Sequence, residues 1–329
     1  MKNVKVLPLF LGRPDRTGIL VVVALCVAVA GCAAQQPPAT GGQRAADNFE
    51  LPDTGPAAFA TGTGPRVGID EAHGNYHTAD GRYRSFAQLL RRDGYRVEGF
   101  DALFDADSLA GFDLIVISNA IAAEKVEDWT LPNPSAFTVS EIDAVQEWVA
   151  AGGRLMLIAD HMPMPGAAAD LARTFGLLFH DGFAYLLDGK GRMTFRLDDG
   201  SLASHEVTGL GSDEPIEFVT TFTGQAFRVT RGTDAEPLMK LPDGSYVLLP
   251  AVAWEFSDTT ARIPADGMVQ GALVRHGKGR VAAFGEAAAF SAQVQERDGE
   301  QFPMGMNDPD APHNGRFLLN VIAWLTADE

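Results

Sequence analysis

Cysteine is nearly absent: Cys26 and Cys32 are the two in 329 residues, and both lie in the first tenth of the chain. Beyond them there is no material for a disulfide framework, a zinc ribbon or a thiol nucleophile. Runs of lysine or arginine are missing as well, and 43 acidic against 26 basic residues give a formal charge of −17. A chain of that sign without a basic tract is not built to track phosphates, which excludes nucleic acid as the partner. Also absent are a Gly-x-Ser-x-Gly elbow, a His-Glu-x-x-His pair, a Walker loop, an EF-hand register and any internal repeat. The Gly277-x-Gly279 pair precedes its strand, so it reads as a hairpin turn and not as a dinucleotide loop. What is present, 46% apolar and 21% charged side chains, is the balance of a globular domain with a sizeable core.

The longest apolar run, Ile19 to Ala30, is 12 residues long and follows Lys2, Lys5, Arg13 and Arg16. A stable membrane-spanning helix needs about 20. The layout is that of an export signal peptide. The junction Val29-Ala30-Gly31-Cys32 resembles the lipobox of bacterial lipoproteins. That resemblance implies cleavage after residue 31 and attachment of acyl chains, palmitate among them, to Cys32 as the mature N-terminus. Ala33 stands where Asp would resemble an inner-membrane retention signal, which implies the outer membrane, facing the periplasm. Removing four cationic and one anionic side chain with residues 1–31 takes the formal charge from −17 to −20. Anionic membrane surfaces repel such a chain, so the lipid has to hold it there.

From residue 32 to residue 65 the composition of Ala, Gly, Pro, Gln and Thr predicts a flexible tether. Residues 66–329 are then one domain. Its first half alternates short apolar strands with amphipathic helices. Strands are expected at Val67–Ala72, Tyr95–Phe100, Leu114–Ser118 and Leu155–Ala159. The intervening helices carry Phe86, Leu89 and Leu90, then Ile142, Val145, Trp148 and Val149 behind a Thr138/Glu141 capping box. From about residue 177 to 249 the helical period vanishes and Asp-Gly turns at 188, 199 and 243 punctuate short alternating segments. Strands resume at Gln270–Arg275 and Arg280–Phe284, and a last helix buries Phe317, Leu318, Val321, Ile322 and Leu325. The expected fold is α/β, a doubly wound, mostly parallel flavodoxin-like sheet with an inserted antiparallel β-rich segment.

In open α/β sheets, ligands bind outside the carboxyl ends of the strands. Those ends carry Asp70, Glu71, His73, Asn75 and His77 after the first strand and Asn119 after the third. Asp160 and His161 follow the fourth, Glu286 the last, and His313 and Asn314 precede the final helix. Four of the seven histidines therefore map to one edge. Asp70, Glu71, His73, Asp160, His161 and Glu286 are the candidate catalytic residues, because these types bind a divalent metal or share a proton. His73, His77, Asp160 and His161 are the candidate metal ligands, although His73 and His77 flank Gly74 and cannot share a helix. Asn75, His77, Asn119, His313 and Asn314 are candidate ligand contacts. The bland alternatives are turn hydrogen bonds for Asp70 and Asp160, a helix cap for Asn314, and a plain surface loop for Met304-Gly-Met306.

The succession Asp70-Glu-Ala-His-Gly74, Phe112-Asp-Leu-Ile-Val-Ile117 and Trp148-Val-Ala-Ala-Gly-Gly-Arg-Leu155 resembles the class I glutamine amidotransferase-like superfamily. Gly279-Arg-Val-Ala-Ala-Phe-Gly-Glu286 and Asn314-Gly-Arg-Phe-Leu-Leu-Asn320 extend the likeness, and its uncharacterised branch in gliding and ABC-transport auxiliary proteins is the nearer match. It covers residues 66–176 and 271–325 and leaves the β-rich middle unexplained. The family's glutaminase uses a cysteine at a strand-to-helix elbow; this chain has none after Cys32, so that reaction is not implied. Two readings follow. One is a non-catalytic envelope module that binds a ligand or partner protein, as the scaffold branches of the superfamily do. The other is a periplasmic hydrolase of an envelope glycan, peptide or ester, metal-dependent if the candidate ligands converge.

Overall fold

Residues 42–211, 214–297 and 299–327 are described by a computed structural model. Residues 1–31, expected to be a signal peptide, and the expected lipidation site Cys32 lie outside the described residues. In chain order, β1 (Gln43–Ala45) precedes β2 (Arg66–Asp70), α1 (Arg84–Arg92), β3 (Arg96–Phe100), α2 (Ala106–Leu109), β4 (Leu114–Ser118) and α3 (Val139–Ala151). Then come β5 (Arg154–Ile158), α4 (Met164–Thr174), β6 (Leu177–Phe179), β7 (Phe183–Tyr185), β8 (Met193–Arg196), β9 (Phe218–Thr221) and β10 (Phe227–Val229). The chain continues with β11 (Ala235–Lys240), β12 (Tyr246–Leu249), β13 (Ala261–Pro264), β14 (Val269–His276) and β15 (Gly279–Phe284). It ends with β16 (Ala292–Arg297), β17 (Glu300–Gly305) and α5 (Asn314–Thr326).

Five parallel strands in the order β3-β2-β4-β5-β15 form the heart of the molecule. The apolar run Leu114-Ile-Val-Ile-Ser is buried at every position because helices cover both faces of β4. On one face Val67, Ile69, Leu114 and Val116 pack with Phe86 and Leu90 of α1 and Phe317 and Val321 of α5. On the other, Ile115, Ile117, Leu155 and Leu157 pack with Ile142, Val145 and Val149 of α3 and Leu171 of α4. Helix α3 opens with the expected capping box, in which Thr138 and Glu141 exchange hydrogen bonds, and stops at Gly152 with φ +125°. Helix α4, by contrast, has no counterpart in the sequence pattern. Its buried face is Met164, Ala167, Ala168, Leu171 and Ala172, mostly small side chains that give little apolar period.

Segment 177–249 does not form a layer of its own. β6, β10 and β11 add antiparallel strands beyond β14, which itself pairs antiparallel with β15. β7, β12 and β13 form one small sheet, and β8 and β9 another. The tether expected through residue 65 is packed from residue 42 onward. β1 pairs with β16, Arg92 donates to the carbonyls of Leu51 and Pro52, and Phe49, Leu51 and Phe59 lie against the core. Three apolar side chains in a polar segment suffice for that docking. Met304 and Gly305, expected in a loop, belong to β17, which pairs with β16. Among the described residues no helix is long and apolar enough to cross a membrane.

Candidate functional site

Parallel register sets the site. Phe284 of β15 pairs with Ile158 of β5, so Glu286 and Asp160, each two residues further on, leave adjacent strands at the same height. Ser118 of β4 pairs with the same Ile158, and Asn119 follows it in a left-handed conformation, φ +53°. From there its Oδ1 accepts the Asp160 amide at 2.8 Å and its carbonyl accepts the Tyr76 amide at 3.2 Å. Three strand ends and the β2–α1 loop are thereby tied around one cavity of about 420 Å³.

The cavity has two unlike walls. One is aromatic: Tyr76, Trp129, His161 and Trp254 follow one another with ring centroids 5.6, 6.2 and 4.6 Å apart. His161 is held in that row by stacking on Phe183 and by donating Nδ1–H to the Met162 carbonyl at 2.8 Å. The other wall is polar and comprises His77, Arg82, Asp160, Thr223, Glu286 and Gln293. Gln43 of β1, Gln295 and Glu296 of β16 and Met304 of β17 also line the cavity.

Glu286 accepts the amides of Ala288 and Ala289 at 2.7 and 2.8 Å. Even so, burial first and the neighbouring Asp160 charge second hold its carboxyl well above the usual carboxylate range. Asp160 is also pushed up by burial, against the opposing pull of His161 and Arg82. Each carboxyl is thus held toward its protonated form, Glu286 the more strongly because the Asp160 charge opposes its ionisation. His77 is pulled well down by burial and by the positive Arg82, so it is neutral at physiological pH. Its Nδ1 is buried without a hydrogen-bond partner, and so is the Oε1 of Gln293, 0% exposed beside it. Arg82 donates to the Gln43 carbonyl at 3.2 Å and lies over the Tyr76 ring, 5.7 Å from its centroid.

The remaining sequence candidates lie elsewhere. His73 is 5% exposed, and its ring bridges two carboxylates: Nδ1 to Asp70 at 2.8 Å and Nε2 to Glu141 at 3.0 Å. Both partners accept, so both nitrogens donate and the ring is an imidazolium, stacked on Phe104. Neither nitrogen is left for a metal or a substrate. Asp70 also accepts from Ala72 and Asn75, and Asn75 accepts the His73 amide, so all three are fixed in one turn. Glu71 is exposed and caps the Ala79 amide at 2.8 Å. Asn314 is the first residue of α5, but its side chain pairs with the backbone of Thr220 through bonds of 2.8 and 3.1 Å. His313 packs edge-on against Phe218. Among the described residues no three His, Cys, Asp or Glu side chains are grouped to hold a metal ion. The set His73, His77, Asp160 and His161 is split between two places.

No protein-family model matches the chain, and no curated protein is similar to it in sequence. Solved structures do share its architecture. The mmIFT52 N-terminal domain superposes with a TM-score of 0.53 at 13% identity, covering 80% of this chain and 98% of that one. The likeness is one of fold. A ThuA-like protein from Bacteroides uniformis follows at TM-score 0.46 and 12% identity, over 83% of this chain and 96% of its own. A cytoplasmic protein from Salmonella typhimurium LT2 follows at 0.48 and 14%, over 80% and 99%. An α/β architecture is what this chain shares with the mmIFT52 domain.

His77, Asn119, Asp160, His161 and Glu286 are thus the sequence candidates that meet in the cavity. Arg82, Trp129, Thr223, Trp254 and Gln293 were not among them. None follows a core strand directly, and an indole in a loop carries the same sequence signal as an indole in the core.

Proposed function

We propose that this chain is a lipid-anchored cell-envelope protein whose amidotransferase-like, flavodoxin-like domain is a module that captures a small molecule at the carboxyl edge of its sheet. The anchor is Cys32, and the location is the periplasmic face of the outer membrane. The observation that carries the binding reading is the pair His77 Nδ1 and Gln293 Oε1, buried, unpartnered and set in the wall of one cavity. Leaving a buried polar atom unpaired costs about 1–3 kcal/mol, which a ligand offering a hydrogen bond recovers. The expected ligand contacts are His77, Asn119, Asp160, His161 and Glu286, joined by Arg82 and Gln293.

A second reading, a hydrolase, is favoured by one feature: Asp160 and Glu286 line the same cavity from adjacent strand ends, and burial raises both carboxyls toward the range general acid–base catalysis uses. One experiment addresses both. The purified full chain is incubated with a small-molecule extract of envelope material, separated from unbound solutes and examined for retained masses, alongside a Trp129→Ala, Gln293→Ala variant. A mass held by the wild type and lost by the variant is expected, whereas no retained mass in either sinks the capture reading. If the mass is converted on incubation by the wild type but not by Glu286→Gln, the module is the hydrolase.

A further inference from the structure

We propose that the ligand is an uncharged cyclic polyol of pyranose size, free or at the end of a glycan chain, lying against Trp129 and Trp254 with its hydroxyls toward His77, Gln293 and Glu286. The inference rests on the small-molecule reading above and narrows it.

Size is the first argument. At about 420 Å³ the cavity is near the lower end of the ~300–1,000 Å³ typical of small-molecule sites, room for one ring or a pair.

The two walls are the second. A planar aromatic ligand or an acyl chain would satisfy the indoles and leave the polar wall dry and unpaired. An open-chain polar ligand would do the reverse. A saturated ring with hydroxyls around its edge presents C–H faces to the indoles and hydrogen-bonding groups to the polar side chains of the lining.

Hydrogen-bond polarity is the third. His77 Nε2 lies 3.5 Å from Gln293 Nε2, which can only donate, so Nε2 accepts and Nδ1 carries the proton. The two unpartnered atoms are then one donor, His77 Nδ1, and one acceptor, Gln293 Oε1. A hydroxyl is both at once.

Charge is the fourth. Arg82 stands in the same cavity as the carboxyls of Asp160, Glu286 and Glu296, so both signs are present. A cationic or anionic ligand meets one of them as a like charge, and a neutral one meets neither.

The test is a titration of the purified full chain, read by tryptophan fluorescence, with N-acetylglucosamine, methyl glucopyranoside and myo-inositol. Glucuronate, glucosamine and adenine are the charged and planar comparisons, and a chitooligosaccharide separates a chain end from the free sugar. A neutral ring should bind at least ten-fold more tightly than all three comparisons. His77→Ala and, separately, Gln293→Ala should weaken it about ten-fold while the unfolding transition is retained. Preference for a charged or planar member overturns the proposal, as does binding that both variants leave unchanged or no binding by any neutral ring. In that last case the retained-mass experiment separates the two failures: a retained mass that is not a glycoside removes the polyol alone, and no retained mass removes the site.

Discussion

His73 and His77 leave the same loop four residues apart and end in opposite situations. The first has a carboxylate on each nitrogen, aromatic rings stacked on it and no open space. The second is equally buried, but one nitrogen has no partner and the residue lines a cavity. Gly74 between them, φ +61°, turns the chain, and a Cβ there would meet the Ile121 carbonyl oxygen at 2.8 Å. The difference teaches how to weigh polar groups at a strand edge. A fully satisfied cluster rigidifies the fold, and a partly satisfied one beside open space is available to a ligand.

The largest effect that would break this contrast is on the satisfied side. His73→Ala leaves Asp70, 0% exposed, and the buried Glu141 without their counter-charge, which should cost about 3–5 kcal/mol in urea unfolding. The pH profile carries the sign. Burial pulls the His73 pKa down, but the hydrogen bonds and charges of Asp70 and Glu141 outweigh it and the net shift is upward. That stabilisation is complete below the ordinary histidine value of about 6.5 and is lost as pH rises through the folded value. For Glu141, burial pushes up and the bonds from His73 and Thr138 pull further down. Its contribution is present above the ordinary carboxylate value of about 4.3 and is lost as pH falls through the folded one. Stability should therefore fall away on both sides of about pH 4.3–6.5, and His73→Ala should flatten both arms. A profile unchanged by the substitution would remove the charged cluster.

How far this was readable from sequence follows the same line. The core strands and α3 were legible because burial on two faces demands an unbroken apolar run and because Thr138-x-x-Glu141 caps a helix by local geometry. The edge that holds the site was legible from parallel topology, which brought His77, Asn119, Asp160, His161 and Glu286 to one rim. Side-chain direction was not. Whether His73 points at Glu141 or at the cavity depends on Gly74 and on a helix that starts 66 residues after it. Gln293 and Met304 reach the cavity through a hairpin that pairs with β1, a contact spanning most of the chain.

On the unsatisfied side the expected effect is smaller and of opposite sign. The folded pKa of Glu286 is raised, by burial and then by Asp160, so its favourable contribution is complete below about pH 4.3 and is lost as pH rises through the folded value. Asp160→Asn removes the like charge. Relative to the wild type, the variant should gain about 1 kcal/mol more at pH 8 than at pH 5 in paired urea titrations. A uniform loss at both values would place Asp160 with the His73 cluster as a purely structural group.

The smallest effect sharpens the contrast through the backbone. Trp254 has φ +67°, a conformation that costs a non-glycine residue on the order of 1 kcal/mol and that glycine adopts freely. Trp254→Ala and Trp254→Gly both delete the ring that meets His161, Phe183 and Phe256, so they lose the same contacts. The glycine variant should nevertheless be the more stable of the two by about 1 kcal/mol, the reverse of the order at an ordinary helical or extended position. Both should lose ligand alike. If alanine is tolerated as well as glycine in thermal unfolding, the backbone at Trp254 stores no strain. The cavity's aromatic lining is then held by side-chain packing alone, unlike the His73 cluster, which two carboxylates hold.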